Sequence, residues 1–474
     1  MVSGAPGIGE LLERLAALET QLAQANAVIA ELRAENAELR ARLGMDSRNS
    51  SKPPSTDSPF DKPIPRSLRR GGGRKPGGQP GHPGATLLQV ADPDEVVVHE
   101  PRSCPGCGRC LAGRPVSGVT RRQEFDIPPV RVRVTEHRLV ERECACGVRT
   151  RGDAPAGVTG PVQYGPRIAA IMVYLYVGQF LSKKRTAQAL AELFGTPVSE
   201  GTVAAVTERA AQGLGGFLEL VRARIAGADV AHFDETGLRV DKKLRWVHSA
   251  STGKYSLITV HDKRGTAAMD DAGVLPSFTG VAVHDAWAPY DTYTGATHSL
   301  CNAHALREMQ AVTDLSAQGD WCWATEVADA LRAMKDIVDA APGNGPAEVD
   351  PDAMAGALQR YRSAVRIGAA DTAARTDKIQ AKHHALAKRL INRETDYLRF
   401  TTNPAVSFDN NAAEREIRMI KVRQKVSGCL RTFTGAEQFC AIRSYLATAA
   451  KHEINFFHAL TKLAEGQPWL PKTA

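Results

Sequence analysis

No stretch of this sequence stays apolar long enough to cross a bilayer. The most apolar run, Ile168 to Leu181, is too short for a span and contains Gly178 and Gln179. The N-terminus also lacks the short apolar run before a small-residue cleavage site that a secretory leader needs; it is rich in Leu, Glu and Arg. Together these absences predict a soluble, cytoplasmic protein with no membrane partner. Cysteine is sparse outside one region: of nine, five lie between Cys104 and Cys146 and four are scattered later. In a large intracellular chain such a cluster reads as a metal site before a disulfide framework. Acidic residues are missing altogether from Lys62 to Ala91.

What remains is ample for a core. The chain has 474 residues, 43% of them hydrophobic, and its length calls for more than one domain. Lys and Arg total 60 against 52 Asp and Glu, and the formal net charge is +8. The excess is clustered, which favours a polyanionic partner, nucleic acid first, although solubility alone would also account for it.

Residues 1–45 carry a heptad seam. Leu11, Leu15, Leu18, Leu22, Ala25, Ile29, Leu32, Asn36, Leu39 and Leu43 alternate steps of four and three, with Leu15, Leu22, Ile29, Asn36 and Leu43 at a. Asn36 at a favours a parallel dimer in register, and Glu35 at g can meet Arg40 at e of the partner. The alternative is an amphipathic helix packed on its own domain, but the wider apolar stripe of such a helix is missing. Residues 46–92 form a linker rich in Pro, Gly and Ser, whose Lys62, Arg66, Arg69, Arg70, Arg74 and Lys75 suit phosphate contacts as well as plain solvation.

Residues 93–157 contain Cys104-Pro-Gly-Cys107 and Cys144-Ala-Cys146, joined by Val130, Val132, Val134, Leu139 and Val140, which read as strands. Four thiolates complete a tetrahedral structural Zn²⁺ site, so we expect a zinc ribbon on Cys104, Cys107, Cys144 and Cys146. The one-residue spacing of the second knuckle departs from the usual two, and Cys110 is an alternative ligand. Residues 160–226 are helical. Lys184 to Phe194, a turn at Gly195 and a second helix capped by Ser199 fit a helix-turn-helix or a plain helical hairpin.

Between residues 228 and 430 the period changes. Ala228–Val240, Leu244–Ala250, Tyr255–Val260 and Gly280–His284 read as strands, with Thr266–Leu275 as a helix before the fourth. Three meandering strands, a helix and a further strand are the order of a ribonuclease-H-like α/β sheet. Asp234 lies within the first strand and Asp285 ends the fourth. Glu414 follows Asp409-Asn410-Asn411, where Asn410 or Asn411 can cap a helix. Three carboxylates suit Mg²⁺ or Mn²⁺ and phosphoryl transfer, in which two ions about 3.5–4 Å apart serve the attacking and leaving oxygens. Asn411, Glu414, Arg418, Lys421 and Lys425 share a helical stripe, as a metal flanked by bound DNA would need. The spacings of these acids define no local motif, and each acid alone is as well read as a solvated terminus. Residues 313–400 are helical and charged, with a break at Pro342 to Pro346, and read as an insertion; residues 431–474 read as a helical cap.

These residues resemble the insertion-sequence-66 family of transposases, within the DDE superfamily, over nearly the whole chain. The resemblance rests on Ser50-Ser51-Lys52-Pro53-Pro54-Ser55, Gly77-Gly78-Gln79-Pro80-Gly81-His82, Asp234-Glu235-Thr236-Gly237, His284-Asp285, Leu300-Cys301-Asn302-Ala303-His304 with Leu306-Arg307-Glu308, and Asp409-Asn410-Asn411 to Glu414-Arg415. It implies a ribonuclease-H-like core, a divalent metal on Asp234, Asp285 and Glu414, and a cut-and-join reaction on terminal inverted repeats and target DNA. Companion proteins of the element are potential partners. Cys301 and His304 are two ligands at most, and we assign them, with Asn411, supporting roles in positioning DNA or the core. The competing readings are a structure-selective nuclease on the same fold and a decayed copy that binds DNA without cutting it.

The heptad yields the first test. A peptide spanning Gly9 to Met45 should sediment as a dimer, and Asn36→Leu should raise its stability while loosening oligomer choice. A monomer at roughly tens of micromolar would refute the parallel pair.

Overall fold

The computed structural model describes residues 8–43, 81, 86–316, 320–341, 349–374 and 377–472. The basic residues Arg66, Arg69, Arg70, Arg74 and Lys75 and the break at Pro342 to Pro346 lie outside them. Helix α1 (Ile8–Leu43) runs unbroken for 36 residues. Its seam side chains Leu15, Leu18, Leu22, Ile29, Leu32 and Leu39 are exposed and join neither hydrophobic core.

The cysteine-rich segment contains the short hairpin β1 (Glu141–Glu143) and β2 (Arg149–Arg151), paired antiparallel. The strands expected at Val130–Val134 and Leu139–Val140 do not form: residues 111–140 lie in no strand. The valines are exposed, so the alternation has no neighbouring ladder or apolar face to pack on.

A helical block follows: α2 (Pro166–Val173), a π-turn (Tyr174–Gly178), α3 (Lys183–Phe194), α4 (Glu200–Gln212) and α5 (Gly215–Ala226). The expected signals act here. Ser182 and Ser199 accept from the third backbone N–H of α3 and α4, and Gly195 takes the left-handed conformation that ends α3.

The sheet then forms from β3 (Val230–Val240), β4 (Lys243–Ser251), β5 (Ser256–His261), β6 (Val281–His284) and β7 (Thr297–Leu300), with α6 (Thr266–Ala272) between β5 and β6. Strand order is β5-β4-β3-β6-β7. The first three strands meander antiparallel, while β6 runs parallel to β3 and β7 parallel to β6. The β3–β4 turn places Asp241 and Lys242 both at positive φ, the twist-matched two-residue hairpin without its usual glycine. The backbone N–H of Asp241 donates to Leu430 O at 2.9 Å, which anchors that strained turn. Strand β7 went unread because Thr297-His298-Ser299-Leu300 offers neither an apolar run nor alternation.

Helices α7 (Asn302–Leu315), α8 (Trp323–Ala340), α9 (Pro351–Asp371), α10 (Lys378–Asn392) and α11 (Glu394–Tyr397) come next. They build a core of their own around Met309, Trp323, Leu331, Tyr361 and Leu390, separate from the sheet's core. The chain returns with α12 (Asn411–Ser427), α13 (Phe433–Lys451) and α14 (Phe456–Ala464). Helix α13 closes the β5 edge: Ser444 Oγ accepts from Ile258 N at 2.8 Å and Thr448 Oγ1 from Ser256 N at 3.0 Å. Serine and threonine one helical turn apart thus satisfy alternate N–H groups of an edge strand.

Gly280 sets β6 against β3. A Cβ there would lie 2.3 Å from Ala228 O and 2.6 Å from Asp229 O, both backbone atoms that cannot rotate away. Gly280→Ala should cost about 1–3 kcal/mol or more in urea unfolding. An unchanged midpoint would contradict this packing.

Candidate active site and metal centres

The β3–β6 pairing sets the site. Val230 pairs with Val281, Ala231 with Ala282 and His232 with Val283, a constant offset of 51 positions that also separates Asp234 from Asp285. Extending this parallel register by two residues sets Asp234 and Asp285 at matching positions on neighbouring chain segments. They sit over the middle of the sheet, at the C-terminal end of β6, rather than at an edge strand.

Asp234 is half-buried, and its pKa is held well above the usual carboxylate range. Burial is the main cause, followed by the negative charges of Glu235, Glu414 and Asp285; a single bond from Glu235 N at 2.9 Å opposes them. Asp285 is raised too, chiefly by burial, against a bond from Trp287 N at 3.0 Å and the charge of Arg264. Mutually repelling carboxylates held out of water are what a divalent cation relieves, and an all-oxygen set suits Mg²⁺ or Mn²⁺. The donor set therefore fits such an ion.

Glu235 points to the opposite face and is already engaged. It accepts from Arg264 Nη2 at 2.6 Å and from Tyr290 Oη at 2.7 Å. Arg264 in turn lies over the Trp287 ring at 3.9 Å and the Trp246 ring at 5.0 Å. This acid braces the sheet beneath the site.

The third acid arrives on α12, with Glu414 in its first turn. Neither Asn410 nor Asn411 caps that helix with its side chain, contrary to expectation. Instead Asp409 Oδ1 accepts from Asn411 N at 3.0 Å, and Asn411 is exposed. Asn410, 1% exposed, turns inward: Nδ2 donates to Phe233 O at 2.7 Å and Oδ1 meets His232 Nδ1 at 3.0 Å. Its own N–H donates to Cys301 Sγ at 3.2 Å. Asn410 was thus visible in the sequence, but two adjacent asparagines gave no way to tell which faced the core.

Cys301, fully buried at the start of α7, and His304 approach Glu414 from the other side. One donor atom from each of these three residues lies within 4.8 Å of the others, and among the described residues this is the group of three or more ligands that comes so close. The three carboxylates are more widely spread. Arg307 Nη2 also reaches Glu414 Oε1, at 3.4 Å. Burial pushes the His304 pKa down to about 3, so its ring is neutral and able to ligate.

In the cysteine-rich segment two knuckles close separately. Gly108 N donates to Cys104 O, and Gly147 N to Cys144 O at 2.8 Å with Gly147 at positive φ, which accommodates the one-residue spacing. The Cys104 pKa is lowered by the backbone N–H groups of Gly106 and Cys107, and that of Cys144 by the backbone N–H and the thiol of Cys146. One thiol eased toward thiolate beside a second thiol in each knuckle fits a zinc ion chemically. Cys110 stands outside both pairs, bridged through its backbone to Ser103. Of the predicted basic stripe, Arg418 and Lys425 are exposed, whereas Lys421 Nζ donates to Gly237 O at 2.5 Å and braces β3.

A mixed α/β body carrying a cysteine-knuckle module is the class these features define. Comparison with protein families matches residues 161–438 to the transposase IS66 family and residues 101–147 to the zinc-finger binding domain of transposase IS66. Residues 10–87 match a family of unknown function, DUF6444. No curated protein matches the chain. The first match spans more than half of the sequence, so the chain belongs to the IS66 family of transposases. Among the described residues no helix is long and apolar enough to cross a membrane.

The two asparagines can be separated experimentally. Asn410→Ala should cost about 1–3 kcal/mol in urea unfolding, because it orphans buried polar groups. Asn411→Ala should stay within about 0.5 kcal/mol. The reverse ranking would show that the wrong asparagine has been assigned to the core.

Proposed function

We propose that this transposase-family chain cuts the ends of an insertion sequence and joins them to target DNA by metal-dependent phosphoryl transfer, with Asp234, Asp285 and Glu414 as metal-binding carboxylates. The observation that carries the reading is the parallel β3–β6 register, which puts Asp234 and Asp285 at matching positions, together with an Asp234 pKa raised by burial and by the charges of neighbouring acids that include Glu414 and Asp285. A strand order of β5-β4-β3-β6-β7, with three antiparallel strands and two parallel to the central one, supports a ribonuclease-H-like core. Bound divalent ions would supply Lewis-acid activation of the attacking oxygen and charge neutralisation at the leaving oxygen.

The chain's own groups supply the rest. Asp234 and Asp285 hold two carboxylates in fixed register, and Asn410 docks the helix that brings the third. Exposed Arg418 and Lys425, with the basic residues of the linker, would bind phosphates of terminal and target DNA. The cysteine knuckles would hold a structural zinc, and the exposed seam of α1 would pair two copies. The cytoplasm is the compartment we propose.

Asp234→Asn, Asp285→Asn and Glu414→Gln each remove charge with little change of shape. Each should lower cleavage of terminal-repeat DNA by orders of magnitude while leaving DNA binding in a gel-shift assay intact. Asp409→Asn, whose carboxylate bonds Asn411 at the start of α12, should keep most of the activity. Parent-like cleavage by any of the three variants would overturn the assignment.

A further inference from the structure

Among the described residues, the ligand atoms that come within 4.8 Å of one another are not those of the carboxylate set but those of Cys301, His304 and Glu414. The donors are a thiol, an imidazole and a carboxylate, which suit a borderline-soft ion better than Mg²⁺. Cys301 and His304 are three positions apart at the start of α7, so they face the same way, and Glu414 closes the group from α12. His304 Nδ1 is buried without a hydrogen-bond partner, an orphan nitrogen beside a carboxylate oxygen 3.8 Å away. The Asn410 N–H already donates to Cys301 Sγ, the kind of outer bond that orients a metal thiolate.

We propose that Cys301, His304 and Glu414 form a second zinc site, distinct from the cysteine knuckles, whose occupation withdraws Glu414 from the catalytic carboxylates and inhibits cleavage. The inhibitory half rests on the reading of Glu414 given above. On binding, the Cys301 thiol loses its proton to solvent as the Zn–S bond forms, and the ion displaces Arg307 from Glu414. Three protein ligands leave a fourth position open to water, as in exchangeable zinc sites.

Zinc titration of the full-length protein against a chromophoric chelator tests the site without recourse to activity. The parent should bind one zinc tightly, at the knuckles, and one more weakly. Cys301→Ser and His304→Gln should weaken the second by about 10–100-fold or more and keep the first. His304→Asp, which restores a ligand, should recover part of the affinity. Cys107→Ser should lose the tight zinc and keep the weaker one. In cleavage assays at fixed Mg²⁺, half-inhibition by zinc should move upward by the same factor in His304→Gln. An identical zinc count in parent, Cys301→Ser and His304→Gln refutes the site. A second zinc that is lost as expected but leaves cleavage unchanged refutes the inhibition. Should Glu414→Gln cleave normally, the catalytic reading fails while the zinc site is judged on its own stoichiometry.

Discussion

One amide side chain, Asn410, joins the three parts of the polypeptide that the site requires. It donates to the backbone of β3 beside Asp234, meets His232 on the same strand, and through its own N–H touches Cys301 at the head of α7. Cys301 and Asn410 are 109 positions apart in sequence, with helices α7 to α11 between them. An insertion of that size leaves the position of α12 undetermined unless something ties it down. A buried amide with both ends satisfied supplies that tie, and leaving either end unpaired would cost more than the bond itself contributes. Asn302 reinforces it nearby by donating from Nδ2 to Tyr397 O at 2.9 Å.

The repulsion among the acids is the counterpart of this fixing. Charges that repel would drift apart on flexible elements. Here two of them sit on hydrogen-bonded parallel strands and the third on a helix locked to one of those strands. Glu235 adds its charge to that repulsion, but its own side chain is held in place by partners of its own. The strand's alternation sends its side chain to the other face, where Arg264 and Tyr290 neutralise and hold it.

Much of this was legible beforehand, and the reasons are local. The β3–β4–β5 meander and β6 announced themselves through apolar runs and turns, and α3 and α4 through their serine caps. The acids are singled out by the resemblance to the insertion-sequence-66 family, because their spacings define no local motif. What escaped depended on distant partners. Strand β7 has no pattern of its own and exists because β6 presents a free edge to it. Lys421 looked like a phosphate ligand on its helix, yet a carbonyl of β3 occupies it. The valines at 130–134 alternate as a strand would, but pairing requires a second strand that the stretch does not find. The choice between Asn410 and Asn411 turned on the rotation of one helix, a quantity that sequence spacing does not encode.

The sealing of the sheet has an outcome beyond the fold. On one side Ser444 and Thr448 occupy the hydrogen-bonding groups of β5. On the other, Arg399 Nε donates to the backbone O of His298 at 2.8 Å, and the Ser299 hydroxyl donates to Asp396 O at 3.3 Å beside β7. The β5 margin thus has no continuous row of vacant backbone groups to offer another strand. A second strand approaching β5 therefore meets a helix instead of a free edge.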